Sequence, residues 1–408
     1  MQQNRNMKNF GKCYKENDFM SDYIIIFNAG SSSIKFSLFS VGGLSLKYRG
    51  VVNDVSGNAV FTVRDTNSYI VYKQFLQESG YSYVINYLLK WIKLEGFNIA
   101  AIGHRVVHGG KYFDQSVRIN DDILKKLVEL IPLAPLHQPH NIELIKACRQ
   151  IFNDVIQIAC FDTAFHRGQS KLNESYALPR SYSDQGIIKY GFHGLSYQYI
   201  TSVLPKYTDK QKLLIAHLGS GASICAVKNL KSVATTMGFT PLDGLMMSTR
   251  CGNIDPGLLL YLLSEKSMKI NELSDLLYHK SGLLGVSQIS SDMKLLLESS
   301  DKKAKEAVDM FCYLAARSMS GLIPAIAGVD VIVFTAGIGE SSPEVRKKIC
   351  NYLSWLDISL SSKKNDINES VISDCDSKVL VLVIPTHEEQ IMANDVNNFL
   401  RLSDGLCK

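Results

Sequence analysis

The sequence predicts an α/β protein of two related domains, and three small-residue segments, each following an apolar run, predict it. The first begins at Tyr23. A β-branched and aromatic run suited to a buried strand gives way to Asn28-Ala29-Gly30-Ser31-Ser32-Ser33. Ile34, Phe36 and Leu38 then alternate with Lys35, Ser37 and Ser40, the period of a returning strand with one face covered. Backbone N–H groups and hydroxyls at such a tip can approach an anion closely, and Lys35 adds positive charge. An ordinary hairpin with a serine-rich turn gives the same local pattern. The second segment, Leu213 to Val227, repeats the plan around Gly219-Ser220-Gly221, and a third glycine turn at Gly337–Ser341 follows the buried run from Val329. The first two tips lie roughly half a chain apart, as two related halves facing one another would place them.

Two such tips with a nucleotide between them form a phosphoryl-transfer arrangement. It is neither a P-loop, since no GxxxxGK[ST] occurs, nor a dinucleotide fold, since no GxGxxG follows a strand. The 408 residues exceed one ordinary core, so two domains are expected. A net charge of +5 with dispersed lysines and arginines gives no case for nucleic acid, though it weakly favours anionic substrates. The nine cysteines show no CxxC pair and no metal-ligand spacing, and read as free structural thiols of a reducing cytoplasm. No apolar run reaches about 18 residues, so no membrane span is expected. Residues 1–21 read as a disordered tail without a signal peptide's apolar region, and Met20 is a possible alternative start.

The elements follow in order. Residues 44–77 carry short alternating runs such as Ala59–Val63, suited to antiparallel strands, and 83–94 has helical spacing at Val84, Leu88 and Trp91. Residues 100–110 read as a buried strand ending in glycines. Arg105 within it requires an anion, either a substrate's or that of an Asp or Glu partner. Val107, two residues on, falls on the same strand face. A helix over 121–131 stops before Pro132, and 133–141 reads as a proline-punctuated loop holding His137 and His140. A strand over 153–160 ends beside Asp162, where a carboxylate is either an active-site group or a helix N-cap. A long helix spans 304–327, a strand 379–385 leads to Glu388, and a closing helix occupies about 389–402. The expected division is 22–163 plus 389–408 as one domain and 164–388 as the other.

Eight blocks in this chain, NAGSSSIKFSLF, GHRVVHGG, LAPLHQPHN, FDTAFH, YGFHG, HLGSGAS, MGFTPLDGLMMSTRCGNIDPG and FTAGIGE, resemble those of the acetate kinase family in order and spacing. That family belongs to the actin, sugar-kinase and Hsp70-like (ribonuclease H-like) fold group, with a nucleotide cleft between two related domains. The resemblance implies reversible, in-line transfer of the ATP γ-phosphoryl to acetate, giving acetyl phosphate and ADP. Propionate or another short-chain acid is the near alternative, and a nucleotide-binding homologue without kinase activity the distant one. Arg105 and Arg250 would be directed at the transferring group from the two sides of the cleft, with His193 over it and Asp162 beside the magnesium. Val107, Leu136, Phe192 and Pro241 would form the acyl pocket, with His137 nearby. Ser31, Ser33, Lys35, His217, Leu218, Gly219, Ser220 and Gly221 would meet phosphates. Asp292, Met293, Lys294, Gly337, Ile338, Gly339, Glu340 and Ser341 would hold the rest of the nucleotide. Asn28 and Glu388 would complete the Mg2+ shell, and the family implies a homodimer built through the second domain.

Several positions depart from the family pattern. Ser220 and Ser341 stand where asparagine is usual, Lys294 and Lys111 replace arginine and glutamate, Tyr197 replaces a second histidine, and His387 replaces asparagine. Most touch the nucleotide, so the expectation is retained chemistry with altered or weakened nucleotide affinity.

Overall fold

The computed structural model describes residues 22–403. The expectations for the tail 1–21 and Met20, and the end of the chain from residue 404, lie outside the described residues. One sheet has eight strands: β1 (Asp22–Ala29), β2 (Ser33–Ser40), β3 (Leu46–Asn53), β4 (Val60–Asp65), β5 (Ile70–Phe75), β6 (Asn98–Val106), β7 (Val117–Arg118) and β8 (Ile156–Phe161). Their spatial order is β5-β4-β3-β2-β1-β6-β8-β7. A five-stranded sheet holds β9 (Lys212–Leu218), β10 (Ala222–Lys228), β11 (Lys231–Thr235), β12 (Val331–Thr335) and β13 (Leu380–Val383), in the order β11-β10-β9-β12-β13.

The same plan underlies both sheets. β1 runs antiparallel to β2 and parallel to β6, and β9 runs antiparallel to β10 and parallel to β12. By contacts the chain forms two compact units. The first runs to Val106, takes in Ser116–Cys160 and resumes at Glu389, while the second comprises Val107–Gln115 and Phe161–Glu388.

The first unit's core is built on the apolar run of β1, with Tyr23, Ile25 and Phe27 buried. The helix Tyr81–Leu94 closes over it with Val84, Ile85, Leu88, Leu89, Trp91 and Ile92. Trp91 meets Phe61 edge-on with centroids 5.0 Å apart, and each such buried ring contributes about 1.5–3 kcal/mol. In the second unit, β9, β10, β12 and β13 bury Leu213, Ile215, Cys225, Val331, Val333 and Leu382 with Tyr197 and Ile200 of the helix Gly194–Val203.

Four local expectations change. The alternation in β2 fails at Ser37 and Phe39, both buried, because β2 is an internal strand covered on both faces. The strand carrying Arg105 ends at Val106, so Val107 lies past its end and does not share a strand face with Arg105. The expected loop over 133–141 is interrupted, since a helix starts at Gln138 and runs to Ile151, with Pro139 tolerated in its first turn. The third glycine segment is a short helix, Ala336–Ser341, with no hairpin partner.

Candidate active site

The first tip is held by its neighbours. Gly30 N–H donates to the Ser33 carbonyl at 2.9 Å, closing the turn between β1 and β2. Arg105 of β6 donates from Nη1 to the Asn28 side-chain oxygen at 3.0 Å. Asn28, expected at a metal, thus presents its oxygen to a guanidinium. Asn141, on the helix Gln138–Ile151, donates to the Ala29 carbonyl at 3.0 Å and anchors the tip from behind. His137 is the N-cap residue of that helix, and Leu136 before it is exposed. Ser31 and Lys35 are exposed and Ser33 is half-buried.

The second unit gathers more of the expected residues. His193 begins the helix Gly194–Val203 from a left-handed conformation, φ 58°, that costs a non-glycine residue roughly 1–2 kcal/mol. Three contacts hold it. Gly194 N–H donates to the Asp162 carbonyl at 2.7 Å, His193 Nδ1 lies 2.8 Å from the Ser223 hydroxyl, and the His217 ring stacks on it at 4.1 Å. A side chain at 194 would reach within 2.2 Å of the Asp162 carbonyl, so only glycine permits this approach. His217 is oriented in turn by Ser196, at 2.9 Å from Nδ1.

Gly221 is where the polar groups converge. A Cβ built on it would lie 3.3 Å from His193 Nε2 and 3.7 Å from Arg250 Nη1, so the imidazole and the guanidinium both stand over the second tip. The same Arg250 nitrogen donates to the Pro241 carbonyl at 3.2 Å. Ser248 N–H donates to the Ser220 carbonyl at 3.2 Å, tying the Arg250 segment to the tip. Phe192 is buried, and its carbonyl accepts from His166 Nε2 at 3.0 Å while Ser232 meets His166 Nδ1 at 2.8 Å. Burial pulls the His166 pKa down to about 4, against the opposing bond to Phe192, so it is a neutral brace. Asp162 is nearly fully buried just past β8. The short helix beyond it is capped by Thr163, so Asp162 is not its N-cap.

The remaining nucleotide candidates divide. Lys294 and Ser341 line one cavity of 740 Å³, whereas Met293 is a core side chain. Asp292 spends its carboxylate on the N–H groups of Lys294 and Leu295, capping the helix Met293–Glu298. A Cβ on Gly337 would meet nothing, and one on Gly219 would lie 3.7 Å from the Ala336 Cβ, so the second tip and the third segment adjoin. Glu340 turns its carboxylate inward, accepting from Ala336 N–H at 2.7 Å and Thr386 N–H at 3.0 Å. It therefore ties the third segment, with Ile338 and Gly339, to the chain two residues before Glu388, the first residue of the helix Glu388–Ser403.

Sequence reasoning missed Arg346. Fully buried in the helix Pro343–Tyr352, it donates to the carbonyls of Gly339 and Glu340, both at 2.9 Å, and to Asn365 and Asn368. Its place on the same helical face as Ile349 and Cys350 was the available signal.

A sequence profile described as the Acetokinase family matches residues 23–394. An acetate kinase of Rickettsia prowazekii is 45% identical over 392 residues, 93% of this chain and 100% of that protein. The crystal structure of a propionate kinase from Francisella tularensis superposes with a TM-score of 0.87 at 35% identity, covering 92% of this chain and 99% of that one. The Porphyromonas gingivalis acetate kinase structure gives 0.85 at 33% identity, covering 93% and 100%.

Proposed function

The chain belongs to the acetokinase family, and from that premise we propose that it transfers the γ-phosphoryl group of ATP reversibly to acetate, giving acetyl phosphate and ADP. It is a kinase whose acceptor is a carboxyl group. The observation that carries the proposal is the convergence of His193 Nε2 and Arg250 Nη1 over Gly221. The acid's carboxylate is ionised at neutral pH and attacks without a general base. Residues then contribute by position and charge. Arg250 neutralises the transferring group, His193 donates to its equatorial oxygens, and backbone N–H groups of Gly219–Gly221 meet phosphate oxygens. Arg105 is the second phosphoryl- or carboxylate-directed guanidinium.

The reaction uses a divalent metal with the nucleotide, and we take it to be Mg2+. Asp162 and Glu388 fit it, being oxygen donors of the class magnesium takes one or two at a time beside phosphate and water. Held by these carboxylates, such an ion would supply charge neutralisation to the phosphates. Hydroxylamine trapping with ATP and magnesium across acetate, propionate and butyrate tests the substrate. Acetate should give the highest kcat/KM, and a clear preference for propionate would favour the second reading, which the Francisella likeness supports. One or two methylenes separate these acids, about 1–3 kcal/mol.

A further inference from the structure

We propose that Tyr197 is a positioning residue for His193, acting through the Ser223 hydroxyl to fix the imidazole as the tautomer protonated on Nε2. What that proton does rests on the acid-kinase reading; which nitrogen carries it does not.

Three polar groups form a chain: Tyr197 hydroxyl, Ser223 hydroxyl and His193 Nδ1, the last step 2.8 Å long. Tyr197 and Ser223 are fully buried, so each proton in the chain needs an acceptor. One ordering satisfies all of them. Tyr197 donates to Ser223, Ser223 donates to His193 Nδ1, and the imidazole proton is left on Nε2. The reverse ordering puts the proton on Nδ1, makes Tyr197 the final acceptor and strands its own proton in the core, where Ser223 is its hydrogen-bond partner. A tyrosine hydroxyl supplies this direction because burial keeps it protonated, its pKa driven well above the ordinary value. A second histidine at this position, as the family pattern leads one to expect, could donate or accept and would impose no direction by itself.

The ring is also held in place for this purpose. Tyr197 packs among Phe165, His166 and His217, and Ser223 lies on β10 opposite His217 on β9. Nε2 and Arg250 Nη1 both lie close to Gly221, on the side where a donor would meet phosphoryl oxygens at the second tip.

The test is imidazole 15N NMR on histidine-labelled full-length protein at about pH 8, where an ordinary histidine is neutral. His193→Gln assigns the resonance. The wild type should show His193 protonated on Nε2. Tyr197→Phe, which removes one oxygen and keeps the ring, should give a mixture of tautomers, with kcat down several-fold and both KM values within about twofold. Ser223→Ala removes the whole relay and should lower kcat roughly tenfold or more, because a wrong tautomer is costly wherever an imidazole must present one nitrogen. Wild-type His193 protonated on Nδ1, or a tautomer unchanged in Tyr197→Phe, overturns the proposal. If the wild type phosphorylates no acid, the reaction reading fails while the spectrum still decides the relay.

Discussion

Gly221 shows how much a single hydrogen atom in place of a side chain can matter. The methyl group of Gly221→Ala would press on His193 Nε2 at 3.3 Å and occupy the space beside Arg250 Nη1. We expect kcat to fall by about tenfold or more with little change in thermal stability, since the tip is otherwise a turn. Steady-state kinetics beside a melting curve checks this. Buried histidines make a separate prediction. Burial lowers His104 and His166 to about 4 and His108 to about 3. Unfolded histidines bind protons near 6.5, so below that pH the unfolded state takes up protons the folded state refuses. Stability is therefore full above about pH 6.5 and falls as pH drops toward 4, by about 2 kcal/mol per group at pH 5. Urea midpoints at pH 7 and pH 5 measure it, and His166→Gln should flatten the dependence. Residue types announced much of this site, because His193, Arg250 and the tip glycines stand in compact blocks. What Asn28 and Asp292 do was not legible, since whether an amide or carboxylate meets backbone, guanidinium or ligand is decided by tertiary placement.

Elements position these residues, and the third segment is the clearest case. Its glycines suggested a turn, yet Ala336 adopts a left-handed conformation, φ 63°, at the start of a short helix. The Glu340 carboxylate meets the N–H of that strained residue, and Arg346 grips the carbonyls at the other end. Glu340→Ala should lower stability by about 1–3 kcal/mol and weaken nucleotide binding, while Glu340→Gln keeps the acceptor oxygen and most of both. Arg346→Met should cost about 3 kcal/mol or more by leaving several buried acceptors unsatisfied. Chemical denaturation and nucleotide titration of the three variants report both effects. Strands and long helices were readable from period and caps. The swallowed arginine was announced only by its spacing to Ile349 and Cys350, against a charged run that resembles a solvated helix face.

At the scale of the whole molecule, the repeated strand order is the feature the two small-residue tips announced. Each unit offers one tip, with Arg105 near the first and Arg250 over the second. The second unit also exposes Leu258, Leu260 and Tyr261 on the apolar helix Pro256–Ser264. A helix apolar all round is ordinarily covered. We therefore expect a homodimer, and sedimentation should show about twice the 45.5 kDa chain mass, with a monomer contradicting it. Among the described residues no helix is long and apolar enough to cross a membrane.

The most direct measurement compares the wild type with Arg250→Ala in one assay, trapping acyl phosphate from ATP, magnesium and acetate as its hydroxamate. The account predicts acetate-dependent product from the wild type and a fall of on the order of 10²-fold or more in kcat for the variant, as loss of a charge-stabilising donor gives. Bound ATP with no acyl phosphate from the wild type, or near-normal turnover by Arg250→Ala, would contradict it.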